Sequence, residues 1–277
     1  MTGTRELKFK SPTFAQRLRG MLGVDFYRLF HTPMYYIFLA IAAIIPAMIL
    51  GTMGMENPQT GVAAAPLYTN VWHIIAAQTP LYVVSDIAEY ANMNMVFIFG
   101  GIMVSIFIGH DYRSGYVKQL FTTHAKKIDY MLSKTLTCAF AMACMCVTYL
   151  IGAVLAGLLT GMDFSVNVGS LLCAVLGKII MSLGWASLYT FLNIIFRKYF
   201  GISNASSFFF GTGIMIIGAA AILGNSSVLN IFLYGSSVYA CLTSNLLTVV
   251  VCALVSVVWT VVYALAGTLI LTKSDVY

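Results

Sequence analysis

Charge is what this sequence has least of. Asp, Glu, Lys and Arg make up 9% of its 277 residues, against about 25% in an ordinary soluble domain. A soluble chain of this length must still cover a large surface with polar groups. Burial in a core therefore does not explain the deficit, and lipid is the expected solvent for most of the chain. The mean hydropathy of +0.89 agrees. Catalytic signatures are missing too. Gly177-Lys178 is the one Gly-Lys pair, and Ile follows it, so there is no phosphate-binding Walker A loop. There is no HExxH, no GxSxG and no paired carboxylate inside an apolar run. A membrane protease or lipid enzyme would need one of these, so no catalytic residue and no metal site are expected. The six cysteines suggest no disulfide framework. Cys144 and Cys146 stand two apart, which points them to different helix faces, and they read as small packing residues. No nucleic-acid partner is expected. If the protein does work, its energy comes from another chain.

What is present is long apolar runs. A span needs about 20 apolar residues, and six segments qualify: 34–54, 90–109, 135–159, 168–196, 201–223 and 246–271. In lipid these must be helices, because each must satisfy its own backbone. The first run follows a basic segment and lacks a small-x-small site, so it is not a cleaved signal peptide. The expected fold is an all-α integral membrane protein, with six transmembrane helices and an amino-terminal amphipathic helix at the interface. The expected division is a lead-in helix over 1–33 and one transmembrane domain over 34–277. External loops are expected at 55–89, 160–167 and 224–245.

The basic residues orient the spans. Arg5, Lys8, Lys10, Arg17, Arg19 and Arg28 precede the first span; Arg113, Lys118, Lys126, Lys127 and Lys134 lie between the second and third. Arg197 and Lys198 lie between the fourth and fifth, and Lys273 follows the sixth. The other side has Glu56, Asp86, Glu89 and Asp163 but no Lys or Arg in its loops. The positive-inside rule then places both termini and the 110–134 loop in the cytoplasm of a multi-pass plasma-membrane protein.

That loop, within "GHDYRSGYVKQLFTTHAKKIDYMLSK", is the largest cytoplasmic feature between spans. Attraction to anionic lipid accounts for its cations. It does not account for the interleaved acids or for Tyr112, Tyr116, Phe121 and Tyr130. The lead-in segment reads as a helix starting at Ser11-Pro12, with Ser as N-cap. Its apolar stripe is Phe14, Leu18, Met21, Leu22 and Leu29, with Arg17 and Arg28 on another face. Asp25 falls inside the stripe and spoils the pattern. Gly20 and Gly23 weaken the helix.

Three further features stand out. "VWHIIAAQTPLYVV" and "NSSVLNIFLYGSSVYACLTSN" are apolar but too short to span, and Pro80 and Gly235 break them. They read as interfacial or re-entrant pieces, with Trp72 and Tyr82 at headgroup level and His73 as an interfacial side chain. Ser203, Ser207 and Gly211 repeat at four-residue spacing, which permits close helix contact. Lys178 is the one basic residue inside a span, toward the outer leaflet. It reads either as snorkelling to the headgroups or as a cation facing a transport pathway. Pro46 is expected to kink the first span.

The whole chain resembles the membrane subunit of an ABC-2 type transporter. The order matches: a basic lead-in helix, six spans and a short basic tail, "LTKSDVY". Such subunits have an acid ending the second span, then a glycine, a short helix and a Lys opening the third. Here these are Asp111, Gly115, residues 116–123 and Lys134. "FIFGGIMVSIFIGHDYRSGYVKQLFTTHAKKIDYMLSK" is similar to lantibiotic-immunity permeases and to exporters of phenol-soluble modulins. The resemblance implies that Asp111, Tyr112, Arg113, Gly115, Tyr116, Lys118 and Phe121 couple the permease to a separate cytoplasmic ATPase subunit. ATP and Mg would sit on that partner, with no cofactor on this chain. It further implies a dimer with itself or a similar permease, lipid contact, and an amphipathic, antimicrobial or cytolytic peptide as substrate. The residues leave open an ion-gradient-driven carrier, export of lipid or a small-molecule drug, and a membrane enzyme or sensor.

Overall fold

The computed structural model describes residues 12–53, 71, 87–122, 125–165, 168–211, 231–242 and 245–273. Its elements are α1 (Phe14–Phe30), α2 (Pro33–Met53), α3 (Ile87–Arg113), α4 (Tyr116–Thr122), α5 (Lys127–Thr160), α6 (Val168–Ile195), α7 (Phe200–Gly211), α8 (Leu233–Leu242) and α9 (Leu246–Lys273). Among the described residues there is no β-strand. Four segments are long and apolar enough to cross a membrane: Met95–Arg113 within α3, and α5, α6 and α9. The α1–α2 pair, bent by 66°, is a fifth if read as one span. The sequence-based expectation of six spans exceeds this. Its fifth segment, 201–223, is described only as far as Gly211, in the 12-residue α7.

α1 starts two residues later than the sequence suggests. Thr13, not Ser11, is the N-cap, in a capping box: its hydroxyl accepts from the Gln16 N–H at 3.4 Å, and its own N–H donates to Gln16 Oε1 at 3.0 Å. α2 continues through Pro46. α8 likewise runs through Gly235, which is buried and does not break the apolar stretch. Of the first external segment, 55–89, Val71 is described, and its N–H donates to the Asp163 carbonyl at 3.1 Å. α3 begins at Ile87, inside that expected loop. "VWHIIAAQTPLYVV" otherwise lies outside the described residues.

α5 is the organiser. Its 34 residues reach about 50 Å at 1.5 Å per residue, well beyond the roughly 30 Å of hydrocarbon. It begins two turns before the expected span start at Thr135. α1, α2 and α6 pack along it, α9 packs on α6, and α7 packs on α3. α2 approaches so closely that any side chain at Gly152 meets the Ala43 carbonyl. The core is aromatic: Trp185 stacks on Phe97 with centroids 5.4 Å apart, beside fully buried Tyr149, Tyr189 and Tyr234. Cys138, Cys144, Cys146, Cys173 and Cys252 are free thiols.

The small-residue stripe does what its spacing suggests. Ser207 Oγ meets Ser105 Oγ of α3 at 3.0 Å, and the Ser203 hydroxyl donates to Asn193 Oδ1 of α6 at 2.5 Å. The Asn193 amide donates in turn to Ser105 Oγ and to the Tyr189 carbonyl. Buried polar groups in lipid need such partners.

The two ends of the bundle differ. At one end converge the C-termini of α3, α6 and α9 and the N-terminus of α5; the Lys127 ammonium donates to the Leu271 carbonyl at 2.5 Å. Arg113, Lys118, Lys126, Lys127, Lys134, Arg197, Lys198 and Lys273 gather there. At the opposite end Asp163 sits in the α5–α6 turn, after Gly161 at φ +69°. The Ser165 hydroxyl donates to its carboxylate at 2.5 Å and holds its pKa below the ordinary value.

Candidate functional site: a buried charge cluster at the basic end

At about 100° per residue, Arg17, Met21, Asp25 and Arg28 fall within one sector of α1 roughly 80° wide. That sector faces α5. Charge on an inward face is costly unless it is paired, and here it is paired on every turn. Arg17 Nε donates to Asp129 Oδ2 at 2.7 Å. The Asp25 carboxylate accepts from Lys134 Nζ and from the Ser133 hydroxyl, each at 2.6 Å. Arg28 Nη2 lies 2.5 Å from Asp111 Oδ1, and Lys134 Nζ lies 2.6 Å from Asp111 Oδ2.

Asp25, Arg28, Asp111 and Lys134 thus form a neutral group of two acids and two bases. The Asp111 and Lys134 side chains are 0% exposed and that of Asp25 is 2%. Arg28 keeps 23% exposure. Aromatic faces enclose the cations. Arg28 Cζ lies 4.4 Å from the Tyr116 centroid, and Lys134 Nζ lies 4.6 Å from that of Phe107, a geometry in which ring quadrupoles stabilise positive charge. Burial, reinforced by the Asp25 charge and opposed by Lys134, raises the Tyr116 phenol pKa. Asp129 stands in the first turn of α5, where a negative charge favours the helix N-terminus. The N-cap, Lys126, makes no side-chain cap.

The cluster ties three elements together: the surface helix α1, the end of α3 and the start of α5. A fourth, α4, seals it. α3 ends at Arg113, and Gly115 takes φ +72°, the left-handed conformation glycine adopts without penalty. Its carbonyl then accepts from the Lys118 and Gln119 N–H groups, starting α4. The expected helix over 116–123 is thus present over Tyr116–Thr122. Val117 is buried with Tyr130 and Met131 of α5, Ile194 of α6 and Ala264 and Leu271 of α9. Phe121 meets Tyr130 edge-on at 5.7 Å. Lys118, Gln119 and Thr122 remain exposed.

The residues singled out in the loop therefore divide. Asp111 is inside the cluster. Tyr112, Tyr116 and Phe121 are half-buried and face the bundle, and Gly115 shapes the turn. Arg113 and Lys118 face outward, with Arg113 Cζ 4.2 Å from the Phe200 centroid. Lys178 is not brought to this site. It lies on α6, 17 residues before Ile195, or roughly 25 Å along the helix. It is 8% exposed, with Nζ 5.0 Å from the Tyr149 centroid and Cys146 beside it in a narrow crevice.

Asp25, Arg28, Asp129 and Ser133 were not identifiable as site residues from the helical pattern alone. In the sequence Asp25 interrupts the α1 stripe, and the helical pattern places Arg17 and Arg28 on another face. The structure corrects both readings: the acid and the two arginines lie on the buried face. A signal existed: an acid in an apolar stripe of so uncharged a chain requires a buried base. Among the described residues there is no group of His, Cys, Asp and Glu that could hold a metal. Comparison with known protein families and with curated proteins finds no match for the chain.

Proposed function

We propose that the chain is the membrane subunit of an ABC-2 type exporter, with α4 as the element that receives motion from a cytoplasmic ATPase subunit. The observation that carries this reading is the two-sidedness of α4. One face is anchored by Val117 and Phe121 to α5, α6 and α9. The other presents Lys118, Gln119 and Thr122 to solvent. A helix held this way cannot be displaced without moving the ends of three long apolar helices. The Asp111–Lys134 ion pair beneath it extends the connection to α1 through Asp25 and Arg28. Coupling of this kind needs an element with two arrangements that a partner's states bias, and the cluster gives the basic end a rigid unit to carry it.

In this reading the basic end is cytoplasmic, both termini lie there, and the bundle has six spans in the plasma membrane. Two permeases, identical or similar, enclose the pathway. ATP and Mg are bound by the partner ATPases, and this chain performs no catalysis. The substrate is an amphipathic peptide, and Lys178, on the far half of α6, is the candidate pathway residue. The asymmetric distribution of Lys and Arg between the two ends supports the orientation.

The test is affinity purification from the native host, followed by ATPase and transport assays. Lys118→Glu reverses an exposed charge without touching the core. Gly115→Pro demands φ near −65° where the chain holds +72°. Both variants should insert normally, yet lose ATPase co-purification or substrate-stimulated hydrolysis. Transport that follows an ion gradient, with no ATPase bound to wild type, would replace this reading with an ion-driven carrier.

A further inference from the structure

At the basic end of the bundle, charges are sorted by depth. Among the described residues, the acids of this end are Asp25, Asp111 and Asp129. All are buried, and they are paired with Arg17, Arg28 and Lys134. Those acids and bases cancel one another inside the structure. Lys118, Lys126, Lys198 and Lys273 are exposed. They stand on α4, at the N-cap of α5, just past α6 and at the end of α9. The further acids that adjoin this end in the sequence are Glu6, before α1, and Asp275, after α9. Two carboxylates are too few to neutralise these lysines together with the exposed Arg19 and Arg113. The segment that holds Glu6 also adds Arg5, Lys8 and Lys10. The face is therefore net positive wherever those two acids lie.

This face looks out from the end of the bundle, not from its side. α4 lies across the ends of three long helices. Val117 packs with Tyr130 and Met131 at the opening of α5, Ile194 at the close of α6 and Leu271 at the close of α9. Lys118, the next residue, is on the outer side of α4. Lipid meets the flanks of the helices, where Leu136, Phe140 and Ile195 are exposed. What lies over the end is the aqueous phase, and any protein that docks from it.

We infer that the protein surface docking on this end is acidic: the ATP-binding subunit of the proposed exporter presents Asp and Glu to Lys118, Lys126, Lys198 and Lys273. The identity of that partner rests on the reading of α4 as the coupling element. The sign of its surface rests on the sorting of charge by depth. Opposed charge patches speed encounter and fix orientation, and attraction between exposed charges is screened beyond about 10 Å at 0.1 M salt. Withdrawing Asp111 and Asp129 into the structure serves such docking. An acid exposed beside Lys118 or Lys126 would repel the same partner.

The test uses the full chain in phosphatidylcholine nanodiscs and the ATP-binding subunit that accompanies wild type from native-host membranes. A carbodiimide joins a lysine amine to a carboxylate only in direct contact. It should link at least one of the four lysines to an Asp or Glu of that subunit, as mapped by mass spectrometry. The association rate should fall at least tenfold between about 0.05 and about 0.5 M salt. Lys126→Glu/Lys198→Glu/Lys273→Glu leaves α4 untouched and alters only exposed side chains. It should slow association at least tenfold at low salt and match wild type at high salt. Lys126→Gln alone should slow it severalfold, which keeps the test valid if the triple variant misfolds. Asp163→Asn, at the opposite end, should have no effect. Binding insensitive to salt and to the lysine variants, with no carbodiimide link, would overturn the acidic surface and leave the ATPase reading standing. Lysines shielded from acylation by phosphatidylglycerol in the nanodisc, and not by the subunit, would assign this face to anionic lipid and overturn it too. If no ATP-binding subunit accompanies wild type, the exporter reading itself fails, and the acidic docking surface with it.

Discussion

Replacing Lys134 with Met removes one charge from a neutral buried group of four and leaves Asp25 and Asp111 to share Arg28. Lys134 Nζ is 2.6 Å from both carboxylates, and the vacated site is closed to water, with the side chain 0% exposed. Breaking a buried pair by removing one partner typically costs about 3–5 kcal/mol, because the remaining charge stays desolvated. The upper part of that range applies here, since two carboxylates lose a partner. The double variant Asp25→Leu/Lys134→Met restores neutrality, leaving the Arg28–Asp111 pair intact. It should be more stable than Lys134→Met alone, with a coupling of about 2 kcal/mol or more in the cycle, against about 0.5 kcal/mol for independent sites. The assay is equilibrium unfolding in mixed micelles, on protein matched for membrane insertion. A Lys134→Met loss below about 1 kcal/mol, or additive single effects, would refute the claim that the cluster holds α1, α3 and α5 together.

The other ion pair grades the same argument. Arg17 retains 20% exposure but leaves behind Asp129, which is 0% exposed, so Arg17→Ala should cost about 1–3 kcal/mol, below Lys134→Met, in the same unfolding assay. Asn193→Leu strands the buried Ser203 hydroxyl and leaves Ser105 only Ser207 as partner, and should cost about 1–3 kcal/mol; Ser203→Ala in that background should recover part of it. Gly152→Val forces a side chain into the Ala43 carbonyl and should destabilise by about 1–3 kcal/mol or more, visible as a lower melting temperature. For sidedness, single cysteines at Gln119 and Ser165 in a Cys-free background separate the two ends. An impermeant thiol reagent outside intact cells should label only Ser165→Cys, and labelling of Gln119→Cys would reverse the assigned orientation.

Hydropathy made the long helices legible, because a run of some 20 apolar residues has few other uses. The ends of α6 and α9 fall within two residues of the expected spans. The start of α5 was missed by two turns, because Asp129 and Lys134 look like loop residues until their partners are known. Gly115 and the short helix after it were expected from the family resemblance, and the structure has both, the helix over Tyr116–Thr122. The charge cluster was not, since its members come from three segments up to 109 residues apart. Periodicity gave the apolar stripe of α1, but polarity alone set Arg17 and Arg28 on another face, when both turn toward α5 beside it. The Ser203–Ser207–Gly211 spacing announced a close contact without naming Ser105 and Asn193 as its partners.

The central claim is that the outer face of α4 meets an ATP-binding subunit, and position-specific photo-crosslinking in native-host membranes tests it most directly. A photoreactive residue at Lys118 or Gln119 should capture a protein carrying a Walker A sequence, with a yield that changes between nucleotide-free and ATP-bound conditions. The same residue at Ser165, at the opposite end of α5, should capture none. Failure to capture an ATP-binding protein at either α4 position, in cells where the chain inserts normally, would contradict the account.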